Sequence, residues 1–114
     1  ERTSGDQPAK AGAEGVRAVV KPELDVSQAF TAPESGVVRV KVRSTDSVRV
    51  YVMHEDSYRD YVNGVARIRV FYGPRSRMGH DVEVDVPPGE RCYLVVYNPH
   101  KASVSIDARI YSVS

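Results

Sequence analysis

The sequence predicts an all-β protein: one antiparallel β-sandwich, jelly-roll-like, with about seven or eight strands and a single short helical insert near 55–63. Three observations predict it. Apolar and polar residues alternate with period two along most of the chain. Valine dominates the apolar positions, which suits a pleated, half-buried surface. Turn residues punctuate the alternation at short, even intervals.

The alternation is plainest in Val38-Arg39-Val40-Lys41-Val42-Arg43, where three valines share one face and three cations the other. Val48-Arg49-Val50-Tyr51-Val52 repeats it, as do Ile68-Arg69-Val70, Val82-Glu83-Val84-Asp85-Val86 and Val104-Ser105-Ile106-Asp107-Ala108-Arg109-Ile110. One buried and one solvated face is the signature of an antiparallel sheet. The expected strands are about 17–21, 25–31, 36–43, 47–54, 66–72, 80–86, 91–97 and 103–113. Pro33-Glu34-Ser35-Gly36, Pro87-Pro88-Gly89-Glu90 and Asn98-Pro99-His100-Lys101 read as turns, because proline fixes φ and glycine accepts positive φ. Ser44-Thr45-Asp46-Ser47 reads as a short hairpin-like loop between two strands.

Glu55-Asp56-Ser57-Tyr58-Arg59-Asp60-Tyr61-Val62-Asn63-Gly64 breaks the pattern. It opens on acids and closes on Asn-Gly, the chemistry of helix ends. Tyr58, Tyr61 and Val62 recur at helical spacing, so one side of a short helix is free to pack on the sheet. Residues 1–15 are rich in Gly, Ala and charged residues without apolar periodicity and read as a flexible tail or linker; 16–114 read as the single sandwich domain.

Composition narrows the function. With 114 residues the chain fits one domain. Sixteen Lys and Arg against fifteen Asp and Glu give a net charge of +1, without the basic excess of a nucleic-acid binder. No apolar run reaches the length that spans a bilayer, so direct membrane insertion is not expected. Cys92 is the only cysteine, which rules out an intrachain disulfide, and it lies in the apolar run Cys92–Tyr97 as a small packed hydrophobe. The chain begins at Glu1 rather than Met, as a processed or excised piece does.

The run from Asp25 to Ser114 resembles the bacterial pre-peptidase C-terminal domains and related GOLD-like β-sandwiches. The likeness is carried by Phe30, by Ala32-Pro33-Glu34-Ser35-Gly36 before Val37-Val38-Arg39-Val40, and by Val48-Arg49-Val50-Tyr51-Val52-Met53 before the helical insert. It closes on Val86-Pro87-Pro88-Gly89-Glu90-Arg91-Cys92-Tyr93-Leu94-Val95-Val96-Tyr97-Asn98. The chain departs from the pattern in lacking Trp and in carrying Arg91-Cys92 there. The resemblance implies a non-catalytic accessory module of a larger or exported bacterial protein or assembly, in periplasmic, cell-surface or secreted settings. It also implies work through protein contact or targeting; nothing in the composition speaks against a cytoplasmic home.

No catalytic or phosphate-binding motif is present, and neither cofactor nor resident metal is expected. Asp81, Glu83 and Asp85 share a strand face and are expected to pair across strands with Arg39, Lys41, Arg43, Arg49, Arg67 or Arg69. The leading candidate site is a basic loop, Gly73-Pro74-Arg75-Ser76-Arg77-Met78-Gly79-His80, met by the helical insert. Its binding residues are Tyr58, Tyr61, Tyr72, Arg75, Arg77 and His80, since Tyr and Arg are the usual carriers of protein-interface energy. A protein partner is expected, or self-association through an edge strand. The first alternative is a carbohydrate-binding module, with Tyr51, Tyr93, Tyr97 and Tyr111 on one outward face. The second is a small metal-dependent hydrolase using His54, Glu55, His80 and Asp81.

Overall fold

A computed structural model describes residues 13–113. Among the described residues there are six strands and one helix: β1 (Ala13–Val20), β2 (Asp25–Thr31), β3 (Val37–His54), α1 (Glu55–Val62), β4 (Tyr72–Asp85), β5 (Arg91–Tyr97) and β6 (Val104–Ser112). Every pairing is antiparallel: β1 with β6, β6 with β3, β3 with β5, β5 with β2, and β4 with β3. The all-β sandwich with one short helix is therefore the observed architecture.

The two layers share a ribbon. The first half of β3 pairs β6 through Val38–Ser44, and its second half pairs β5 through Arg49–His54. Along its other edge β3 runs beside β4 throughout, with register shifts between Arg43 and Val48 and between Val50 and Val52. One layer is thus β1, β6 and the near halves of β3 and β4. The other is β2, β5 and their far halves. Strands that turn a corner between packed layers do so at such irregularities.

This corrects the strand list in four places. The segments 36–43 and 47–54 are one 18-residue strand, and Ser44–Ser47 is its corner rather than a hairpin loop. The corner stays in the sheet because its polar groups find partners on other strands. Ser44 Oγ donates to Met78 O at 2.7 Å, Ser105 N donates to Thr45 Oγ1 at 3.1 Å, and His100 Nε2 donates to Ser47 O at 2.7 Å. Residues 66–71 form no strand, because the three-residue alternation at Ile68–Val70 meets no partner strand. The expected loop 73–80 is instead the first half of β4. Gly73 allows this: a Cβ there would lie 2.1 Å from Val50 O, so only glycine lets the two backbones approach. Finally β1 starts at Ala13, inside the segment read as tail; residues 1–12 lie outside the described residues.

The core is what the alternation implies. Val38, Val40, Val42, Val48, Val50 and Val52 of β3 all point inward and are fully buried, beside Phe30, Val84, Leu94, Val96, Ile106 and Ile110. Even-numbered residues of β3 face inward on both sides of the corner, so the corner keeps the inner face continuous. Cys92 belongs to this core, and burial pushes its thiol up to about 11.

Asn98 is fully buried just after β5. Its Nδ2 donates to Val20 O at 3.0 Å, Lys21 O at 3.3 Å and Ala102 O at 2.8 Å, while its Oδ1 accepts from His100 N at 2.8 Å. One side chain thereby ties the β1–β2 turn to the β5–β6 loop.

Candidate functional site

The structure divides the six sequence-predicted site residues into two groups. Tyr58 and Tyr61 stand on α1, which packs on β5 and β3. Tyr72, Arg75, Arg77 and His80 stand on β4. The expected meeting of helix and basic segment does not occur as one surface: the helix lies on the outer face of the β2–β5–β3 layer, while Tyr72 and His80 join its inner side.

α1 forms where acids open it and Asn63-Gly64 closes it, with Gly64 at φ 75°. Its N-cap is His54, whose Nδ1 accepts from Asp56 N at 3.1 Å and whose Nε2 donates to Glu90 at 2.9 Å. Beneath the helix Met53 and Val95 are fully buried, yet they lie outside the main core cluster. They occupy the opposite parity of β3 and β5, so they form a second apolar layer under α1. Tyrosines close that layer. Tyr58 stacks on Tyr93 with ring centroids 3.9 Å apart, and Tyr61 lies 5.8 Å from Tyr51. The Tyr58 hydroxyl bonds Ser27 Oγ at 2.9 Å, and the Tyr61 hydroxyl donates to Asp25; burial first, and then the Asp25 carboxylate, raise the pKa of that hydroxyl. Arg91 lies over the Tyr93 ring and Arg49 over Tyr97.

Tyr51, Tyr93 and Tyr97 therefore share a face, as the parity implied, but Tyr111 does not join them. It sits on β6 opposite Arg39, in the other layer. The ring faces are occupied by one another and by guanidinium groups, which makes this surface a helix-docking layer rather than an open stacking platform.

On β4 the inner face carries Tyr72 and His80. His80 is buried; its Nε2 donates to Val48 O at 3.2 Å, so its Nδ1 accepts from the Tyr72 hydroxyl at 3.1 Å. Burial holds this imidazole below its ordinary pKa, and the Arg77 cation acts in the same direction. Arg75 is in register with Val50 and Arg77 with Val48. Both are exposed, and so is every residue from Pro74 to Gly79.

The acidic half of β4 behaves as expected. Asp81 takes two hydrogen bonds from Arg39, at 2.8 and 2.9 Å, and that guanidinium holds its carboxyl below the usual range. Glu83 is in register with Arg39, and Asp81 with Lys41. The hydrolase set does not assemble: His54 caps α1, His80 is enclosed by Tyr72 and Val48, and no group of three His, Cys, Asp or Glu able to hold a metal occurs among the described residues.

Sequence reasoning missed the apolar flank of this edge. Val62 (63% exposed), Val65, Phe71 and Met78 (60% exposed) are four of the seven large hydrophobics that the described surface leaves exposed, and they run from the last residue of α1 to the middle of β4; Val62, expected to pack on the sheet with Tyr58 and Tyr61, faces outward instead. The ion pairs of the described residues engage Arg17, Arg39, Arg59, Arg91 and Arg109, and none engages Arg67, Arg69, Arg75 or Arg77. Apolar residues standing where alternation fails were the available signal.

Taken together, fold and surface define an antiparallel β-sandwich with an exposed Arg-rich, partly apolar edge. Neither protein-family models nor curated proteins give a match to the chain. Among solved structures it is similar to Aeromonas hydrophila PliG, described as a periplasmic lysozyme inhibitor of g-type lysozyme. The two share 13% identity with a TM-score of 0.59, over 92% of this chain and 90% of that one. It is also similar to part of BtGH115A, described as a family GH115 4-O-methyl-α-glucuronidase with specificity for decorated arabinogalactans. Here the identity is 10% and the TM-score 0.52, over 99% of this chain but 19% of the enzyme. Both likenesses are likenesses of fold.

Proposed function

We propose that this chain is a non-catalytic, protein-binding β-sandwich of an exported bacterial protein or assembly, and that it binds through the surface running from Val62 to Gly79. The observation that carries the proposal is the coincidence, on one stretch, of four exposed apolar side chains and four arginines that form no ion pair among the described residues. Apolar anchors beside arginines are the composition of interface centres. PliG, of similar fold over nearly its whole length, is by its description an inhibitor of another protein and periplasmic, which supports both the protein partner and the export. The resemblance to pre-peptidase C-terminal domains points the same way, toward an accessory role.

The test is affinity capture from the envelope fraction of the source cells, with wild-type protein beside a Phe71→Ser/Met78→Ser variant. Both substituted side chains are exposed, so the variant is expected to fold. A partner retained by the wild type and lost with the variant supports the proposal. Capture of nothing above a blank matrix, or equal capture by both proteins, overturns it.

A further inference from the structure

We infer that the free edge of β4 takes an extended acidic segment of the partner as an added strand, with Arg75 and Arg77 reading carboxylates spaced two residues apart. This rests on the protein-binding reading above and names the chemistry of what is bound.

β4 pairs only with β3, so among the described residues its other edge has no strand beside it along 14 residues. Such an edge presents backbone donors and acceptors that an extended segment can pair with, and this is a recurrent mode of peptide recognition. Charge along β4 is segregated. Its second half carries Asp81, Glu83 and Asp85, and β3 supplies Arg39 and Lys41 opposite Glu83 and Asp81. Its first half carries Arg75 and Arg77, and β3 supplies only Val50 and Val48 opposite them. The Cα atoms of the two arginines thus stand about 7 Å apart along the strand, on one face, and the β3 residues in register with them are valines rather than acids. An incoming strand with acids at alternate positions would place one opposite each arginine, since directly opposed side chains share a face. Phe71 and Met78, exposed at either end of the pair, offer contact to apolar residues of the same segment.

A second copy of β4 is the poorer occupant, although it carries acids. Arg75 and Arg77 share the face of Val50 and Val48, whereas Asp81, Glu83 and Asp85 lie on the face opposite Val82 and Val84. Two-fold antiparallel pairing continues each face of a sheet into the same face of its partner. The acids of one copy would therefore stand behind the sheet from the arginines of the other.

The probe is a blocked peptide of sequence Thr-Glu-Val-Glu-Val-Glu-Thr, titrated into 15N-labelled protein, with a Gln-for-Glu peptide and a short single-stranded oligonucleotide as comparisons. Amide shifts are expected on 71–79, with binding at least about tenfold weaker for the Gln peptide and for the R75S/R77S variant. The idea is overturned if the Gln peptide binds equally, if the shifts fall on the tyrosines of α1 and β5, if the oligonucleotide displaces the Glu peptide at equal concentration, or if no shift occurs. R75S/R77S in the capture experiment separates the two readings. A partner held equally by wild type and R75S/R77S but lost with Phe71→Ser/Met78→Ser sinks the acidic strand and leaves the module; a partner lost with neither sinks both.

Discussion

Asn98 shows how much a single polar side chain can hold. Its amide satisfies three carbonyls and one N–H of the two connecting loops, through one buried and three half-buried hydrogen bonds. Asn98→Ala strands those groups, each at a cost of about 1–3 kcal/mol where water cannot reach. A loss of roughly 3 kcal/mol is expected, read as a fall of some 10–20 °C in Tm. Asn98→Asp is expected to be worse, because a carboxylate would face three carbonyl oxygens. His80 sets a second expectation. Its folded pKa lies below the unfolded one, so below about pH 6.5 the unfolded chain binds the extra proton and stability falls as pH drops. Thermal melts between pH 8 and pH 5 should show this decline in the wild type, and a His80→Asn variant should show a shallower one. The same slope in both proteins would place its source elsewhere.

At the scale of elements, α1 is held by its tyrosines more than by propensity, for eight residues are too few to form a stable helix alone. Tyr93→Ala removes the ring under Tyr58 and opens the layer over Met53 and Val95. The expected cost is about 2–4 kcal/mol with loss of the helical signal in circular dichroism, whereas Tyr111→Ser, on the other layer, should stay within about 0.5 kcal/mol. The helix was legible in the sequence because its signals are local: acids at one end, Asn-Gly at the other, tyrosines at helical spacing. The β3 corner was not. Ser44–Ser47 has the composition of a turn, and what keeps it in the sheet comes from Met78, His100 and Ser105, all more than 30 residues away in sequence. Gly73, Pro74 and Gly79 misled in the same way. They look like loop punctuation, yet Gly73 is there because β3 comes too close for any side chain.

Over the whole molecule, the alternating valines fixed which residues meet in the core, since period two survives any rearrangement of strand ends. They did not fix which strands neighbour which, because all the valine strands carry nearly the same pattern. That ambiguity also reached the candidate site. Grouping Tyr58 and Tyr61 with Arg75 and Arg77 requires the helical insert to lie against the basic segment, whereas the order of strands puts β5 under the helix and leaves β4 at the margin. The arginines kept their place as surface residues, and the tyrosines turned out to be part of the internal structure.

The long β3–β4 ribbon has a mechanical meaning as well. A sandwich made of two independent sheets can part like the covers of a book, each sheet keeping its own hydrogen bonds. Here the same two strands run through both covers, so the spine is continuous with the pages. Tension applied along β4 therefore passes through one backbone into both layers at once.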